Sequence, residues 1–157
     1  MNKKLLAITS TVLFAIILLL FVIIHSYIKQ QELYNPDNYK ISTYVNLDTT
    51  SVSYEILTKS PSHRNYKLEY ITSNNGNKEL AVGKTENELD INLNGEWYVV
   101  PREVFEDGDA IAYTLGIGET YKFTSYLGHY KLPGKGYYRV VRMIDVDTYS
   151  AMEFYLK

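Results

Sequence analysis

The sequence predicts an all-β chain, an antiparallel β-sandwich preceded by one N-terminal transmembrane helix. Three observations predict it. Residues 5–24, LLAITSTVLFAIILLLFVII, carry no charge, no glycine and no proline. From Tyr39 onward, short runs of alternating apolar and polar residues recur at about 10-residue spacing, with Gly, Asn, Pro and Ser clusters between them. All 16 tyrosines lie beyond the apolar run, and tyrosine favours strands.

A helix of the length of 5–24 rises roughly 30 Å, the thickness of a bilayer's hydrocarbon core. Lys3, Lys4 and the α-amino group precede it, and the first cation after it is Lys29. The positive-inside bias therefore keeps the N-terminus in the cytoplasm and sends residues 27–157 across. Tyr27 stands where an interfacial aromatic anchor is expected. A cleaved secretory signal has an apolar stretch of about 7–15 residues and a small-residue cut site. This run is longer, and Ile24-His25-Ser26 matches such a site poorly. The reading is an uncleaved signal anchor in preference to a cleaved leader, which would leave a secreted domain. A buried soluble helix is disfavoured, because so small a domain cannot cover a helix that is apolar all round. Residues 1–26 are thus assigned to the anchor, 27–38 (with the turn signal Asn35-Pro36-Asp37-Asn38) to a stalk linker, and 39–157 to one folded domain. The expected location is the cell membrane, single-pass, with the C-terminal domain extracytoplasmic.

The expected strands are Tyr39–Leu47, Ser51–Leu57, Tyr66–Thr72, Asn87–Leu93, Glu96–Val100, Thr120–Leu127, Tyr137–Ile144 and Tyr149–Leu156. Loops Ser60–Asn65, Asn74–Asn77, Glu106–Asp109 and Leu132–Gly136 separate several of them. The hairpin around Asn94-Gly95 admits two registers. A two-residue turn pairs Ile91 with Tyr98 and leaves Trp97 beside Asn92 on the polar face. A three-residue loop with a bulge at a left-handed Gly95 pairs Ile91 with Trp97 and Leu89 with Val99, which collects the apolar side chains on one face. The second is the expected form, with Trp97 as the large core aromatic.

Composition excludes several classes. There is no cysteine, so disulfides, cysteine-ligated zinc and a lipid-modified cysteine are ruled out. Without Lys3 and Lys4 the chain carries 14 basic and 18 acidic residues and no basic stripe, so nucleic acid is not an expected partner.

From about Ser51 onward the chain resembles a family of bacterial immunoglobulin-like domains of Gram-positive cell-envelope proteins. The resemblance is carried by Val82-Gly83, Glu88-Leu89, Asn94-Gly95-Glu96-Trp97-Tyr98-Val99-Val100-Pro101, Tyr113-Thr114-Leu115, Gly118-Glu119-Thr120 with Phe123, Leu132-Pro133-Gly134-Lys135-Gly136-Tyr137-Tyr138-Arg139-Val140-Val141, and Ala151-Met152-Glu153-Phe154-Tyr155-Leu156. It departs from the family in the two extra residues of Gly134–Arg139 and in lacking the lipidated cysteine of many relatives. It implies an immunoglobulin-like sandwich at the cell envelope and brings no catalytic motif. Tyr138, two residues before Val140, sits where such sandwiches carry a tyrosine whose hydroxyl bonds back to the upstream backbone.

Site chemistry is sparse. His63 and His129 lie in loops, His25 lies at the membrane boundary, and no nucleophile elbow, zinc, P-loop or dinucleotide motif occurs. Acids cluster at Glu106, Asp107 and Asp109 and at Asp145 and Asp147, where oxygen ligands for calcium could converge, but without a defined ligand spacing. No catalytic, cofactor-binding or metal site is therefore expected, and no cofactor. The expected function is a membrane-anchored, non-catalytic binding or structural module. Its specificity would lie in loops 74–86, 101–112 and 145–148. Its partners would be the membrane, through residues 5–24, and an envelope protein or cell-wall component. The alternative is an envelope hydrolase or transferase with a cleft near His63 or His129. A pilin-like subunit is weaker still, because residues 5–24 contain no glutamate.

Overall fold

In the computed structural model the described residues are 3–58, 61, 67–84, 87–104 and 112–157. They form two compact units, Met1–Asn38 and Tyr39–Lys157.

The first unit is one helix, α1 (Lys3–Leu33), followed by a 3-10 turn at Pro36–Asn38. The helix runs beyond the apolar run and through residues 27–33 of the expected stalk. It stops where sequence chemistry requires: Asn35 precedes a proline, which disfavours helical backbone at that residue. The last turn is tied off by Asn38 Nδ2, which donates to the Glu32 carbonyl at 2.8 Å. Residues Val12–Leu33 include a window long and apolar enough to cross a membrane, and none of that window is buried in the protein.

The second unit is built from β1 (Lys40–Ile41), β2 (Val52–Ile56), β3 (Lys67–Asn74), β4 (Leu80–Gly83), β5 (Glu88–Leu93), β6 (Glu96–Val99), β7 (Ala112–Leu115), β8 (Thr120–Tyr126), β9 (Gly136–Asp145) and β10 (Thr148–Leu156). A five-stranded sheet has the order β1-β6-β5-β9-β10, a three-stranded sheet the order β2-β3-β8, and β4 pairs with β7. Every pairing is antiparallel. The expected first strand, Tyr39–Leu47, shrinks to two residues. The segments Leu80–Gly83 and Ala112–Leu115, read as connections, are strands. Residues 59–60 and 62–66, with His63, and the acidic loop Glu106–Asp109 lie outside the described residues.

Alternation places the core. On the five-stranded sheet Leu89, Ile91, Leu93, Tyr98, Tyr138, Val140, Ile144, Met152, Phe154 and Leu156 are buried. On the other side Leu68, Tyr70, Phe123 and Val52 are buried in the same way. Each such side chain contributes about 1.5–3 kcal/mol by leaving water. One inward position of β9 is an arginine. Arg142 is 1% exposed. Its Nε and Nη2 both donate to Tyr70 Oη, at 3.0 and 2.6 Å, and its Nη1 donates to the Gly83 carbonyl. Its guanidinium lies 4.3 Å from the Phe123 ring centroid. The side chain therefore ties β9 to β3, β4 and β8 through the centre of the sandwich. Tyr138 is fully buried and its Oη donates to the Gly134 carbonyl at 2.6 Å, the backward bond expected of the corner tyrosine.

The hairpin takes the register that the sequence reading set aside. Ile91 pairs with Tyr98, Asn92 with Trp97 and Leu93 with Glu96. Asn94 (φ 57°) and Gly95 (φ 92°) form a two-residue turn, left-handed at both positions, as the Asn-Gly pair favours. The bulge was expected because it put Trp97 with the other apolar side chains. The inner face instead takes Tyr98, and the outer face is not simply solvent, so Trp97 finds cover there. It is half-buried and is not a core residue. Gly95→Ala is expected to cost about 1 kcal/mol. No atom lies within 4 Å of the added Cβ, so the cost is conformational and not steric. Urea unfolding of the purified chain measures it, and an unchanged midpoint would contradict the left-handed turn.

Candidate functional site

What covers the outer face is the segment that follows β1. Ser42 N donates to the Trp97 carbonyl at 2.9 Å, carrying the chain past the sheet edge. Alternation of β5 and β9 puts Glu88 and Asp90, then Tyr137 and Arg139, on this face, and cross-strand register sets Asp90 opposite Arg139. Arg139 Nε donates to Asp90 Oδ2 at 2.7 Å; both side chains are buried, at 6% and 0% exposure. Arg139 Nη2 donates to Ser42 Oγ at 3.2 Å and to the Tyr44 carbonyl at 2.9 Å. Its guanidinium also stacks 4.6 Å from the Trp97 ring centroid. One arginine thus fixes the segment, the acid and the indole together. Tyr44 packs on Tyr149, with ring centroids 4.7 Å apart.

Glu88 lies beside this network and accepts a 2.7 Å bond from Ser42 Oγ. Burial, then a hydrogen bond with Asp90 and that residue's charge, push its carboxyl up to about 7, against the pull of Ser42 and Arg139. Asp90 Oδ1 is buried and receives no hydrogen bond. A carboxyl that is held protonated in the fold stabilises most below its unfolded value near 4.3, and that contribution is lost as pH rises through about 7. Stability is expected to fall by about 1–2 kcal/mol between roughly pH 4.5 and 7.5, the full shift being reduced by solvent screening of a half-exposed group. Glu88→Gln should flatten that slope. Thermal melts across this range check it, and an identical slope in the variant would place the titration elsewhere.

Next to the network is a groove of about 380 Å³ lined by Ile41, Ser42, Tyr44, Val45, Glu96, Trp97 and Arg139. Its size lies within the range of small-ligand sites, and it mixes apolar walls with a few polar groups. Ile41 and Val45 are exposed on its rim.

The residues singled out from sequence stand elsewhere. Asp145 is paired with Lys78, whose ammonium beside it holds its carboxyl below the usual range. Asp147 occupies a left-handed position (φ 53°) in the turn between β9 and β10. Glu106, Asp107, Asp109 and His63 lie outside the described residues. Among the described residues no group of three or more metal-ligating side chains converges. His129 stacks on Tyr126 at 5.4 Å, and His25 stacks on Phe21 within α1. The sequence reading missed Ser42, Glu88, Asp90 and Arg139. The available signal was the alternation itself, which puts two acids at successive outer positions of β5.

A bacterial Ig-like domain family model matches residues 48–154. No curated protein matches the chain. The match covers β2 through most of β10 and includes the buried corner tyrosine. The chain belongs to the bacterial Ig-like domain family.

Proposed function

We propose that this protein is a non-catalytic binding module, held at the membrane by α1 and displayed on the extracytoplasmic side, whose contact surface for an envelope partner is the groove beside Trp97 and Arg139. The observation that supports this reading is the construction of that groove. A buried ion pair, four hydrogen bonds to the 42–44 segment and a stacked indole fix its walls before any ligand arrives, and preorganised walls lower the entropic cost of binding. The charged side chains that line it are engaged within the protein: Arg139 with Asp90, and Glu96 with the Tyr98 hydroxyl. The lysines before α1 and its apolar length support an N-in orientation. The family match adds a scaffold that carries specificity on its surface.

Two measurements test this. Protease added to cells whose outer surface is accessible should digest residues 39–157 and spare the short N-terminus; a protected C-terminal domain would refute the orientation. A photo-crosslinker at Val45, on the groove rim, should capture envelope material in intact cells. Capture that is no greater than from a crosslinker at Lys122 on the other sheet would refute the groove as the contact surface.

A further inference from the structure

The edge of the five-stranded sheet away from the groove is β10. Among the described residues no strand pairs with its outer side. Register decides which of its main-chain groups face outward. Asn87 N donates to the Val141 carbonyl, so odd-numbered residues of β9 bond toward β5 and even-numbered ones toward β10. The even-numbered partners on β10 are Ser150, Met152 and Phe154. Ala151, Glu153 and Tyr155 therefore turn both N–H and C=O away from the sheet. The two outward bonds that β10 and its end do make keep this parity. Asp48 N donates to the Tyr149 carbonyl at 2.8 Å, and Lys157 N donates to the Pro61 carbonyl at 3.0 Å. These two contacts close the ends of the lane beside β10, and nothing among the described residues bonds to the main chain between them. Proteins commonly blunt an open edge by shortening the strand or by placing lysine or proline in it. The opposite edge, β1, is two residues long; β10 is nine and contains neither residue type. The mouth beside the lane is apolar. β2, an edge of the other sheet, runs the same way as β10: Asp48 meets Tyr149, Tyr54 lies beside Ser150 and Pro61 meets Lys157. Ile56 has the parity of Val52 and Tyr54, toward the inside of the sandwich, yet is 37% exposed.

We propose that β10 takes a short extended peptide from a protein partner as an added strand, paired along Ala151–Tyr155 between Asp48 and Pro61, with an apolar side chain of that peptide laid toward Ile56. Hydrogen-bond pattern selects the ligand class. Donors and acceptors alternate along this edge at the roughly 3.4 Å per residue of a strand, and another extended main chain repeats that spacing. The closed ends select a short segment and exclude a second copy of β10. In a two-fold dimer the strands pair antiparallel. Every such register sets a residue of one β10 opposite Tyr149 or Lys157 of the other, where Asp48 or Pro61 already sits. A peptide of about five paired residues meets neither. The edge lies at the far end of the sheet from the β1–β6 groove, so this proposal stands whether or not the groove binds anything.

The test uses full-length protein in nanodiscs and a phage-displayed library of random linear heptapeptides, counter-selected on empty nanodiscs. Amide hydrogen exchange is then read residue by residue with and without each recovered peptide, synthesised free of phage. In the protein alone the amides of Ala151, Glu153 and Tyr155 should exchange much faster than those of Met152 and Phe154, which are bonded to β9. A bound peptide should slow those three amides about tenfold or more, and the protection should alternate along the strand. Glu153→Pro removes one outward donor without breaking a bond to β9, and should weaken the peptide roughly tenfold. Glu153→Ala, which keeps the donor, should bind within about twofold of the natural chain. Slow exchange of the three amides in the protein alone would overturn the proposal, since the edge is then covered already. So would a library that yields no binder, peptides that bind without slowing these amides, or affinity unchanged in a folded Glu153→Pro. Protection that rises with protein concentration and no peptide would assign the edge to a second copy instead. The exchange readout on the natural chain decides the matter even where the proline variant does not fold.

Discussion

Arg139→Met is expected to destabilise the sandwich domain by about 3–5 kcal/mol, because it strands a buried carboxylate. Asp90 is 0% exposed and its only ionic partner among the described residues is Arg139 at 2.7 Å. Methionine restores much of the arginine stem's volume but none of its charge, so the loss is electrostatic and not a cavity. The Ser42 hydroxyl and the Tyr44 carbonyl lose a donor at the same time. A second variant identifies the cause. Asp90→Leu/Arg139→Met should recover most of the loss, since replacing both members of a buried pair by apolar groups is often near neutral. Urea midpoints for the two variants decide it. A single-variant cost below about 1 kcal/mol at neutral pH would mean the pair is wetter than its burial indicates.

The same pair shows where sequence reading stopped. Strands whose alternation has a clear apolar face, such as Leu89–Leu93 and Tyr137–Ile144, were legible because period-two burial writes itself into consecutive residues. The Asn-Gly turn was legible as a turn, and Tyr138 as a corner tyrosine, because each is local chemistry. Burial of the opposite face was not. Asp90 and Arg139 read as solvated positions, and only the segment around Ser42, 97 residues from Arg139 along the chain, covers them. β4 and β7 are four residues each and pair with one another across about thirty residues of chain, a non-local partnership that neither segment signals alone. Arg142 reads as polar yet occupies an inward position of β9. Its parity with Tyr138, Val140 and Ile144 was visible, but the Tyr70 hydroxyl and Gly83 carbonyl that make this position habitable come from other strands.

The groove was hidden for a related reason. The sequence reading looked to loops, since rigid scaffolds usually put specificity there. Here a groove of about 380 Å³ lies on a sheet face, and part of its rim comes from the short stretch between β1 and β2. Register decides what that face presents. A one-residue slip of β6 would exchange Trp97 and Tyr98 between faces and remove the indole wall of the groove.

That exchange makes the hairpin the sharpest test of the structure. Tyr98→Ala is expected to cost about 3–5 kcal/mol and Trp97→Ala only about 1–2 kcal/mol, although tryptophan is the larger side chain. Tyr98 is 8% exposed and faces inward opposite Ile91, so truncation opens a cavity in a close-packed core. Trp97 is half-buried on the outer face, where truncation loses the Tyr137 ring contact and the Arg139 stacking but lets water fill the space. Tyr98→Phe separates packing from hydrogen bonding. Its hydroxyl donates to Glu96, an exposed carboxylate that water can satisfy, so the loss should stay near 0.5 kcal/mol. Denaturant midpoints of the three variants, with the emission maximum of Trp97 in the native state, read the register directly. Under the two-residue turn, Tyr98→Ala is the more damaging and native emission is intermediate between buried and exposed indole. The opposite ranking with a strongly blue-shifted native emission would restore the bulged register, with Trp97 in the core, and remove the indole wall of the groove.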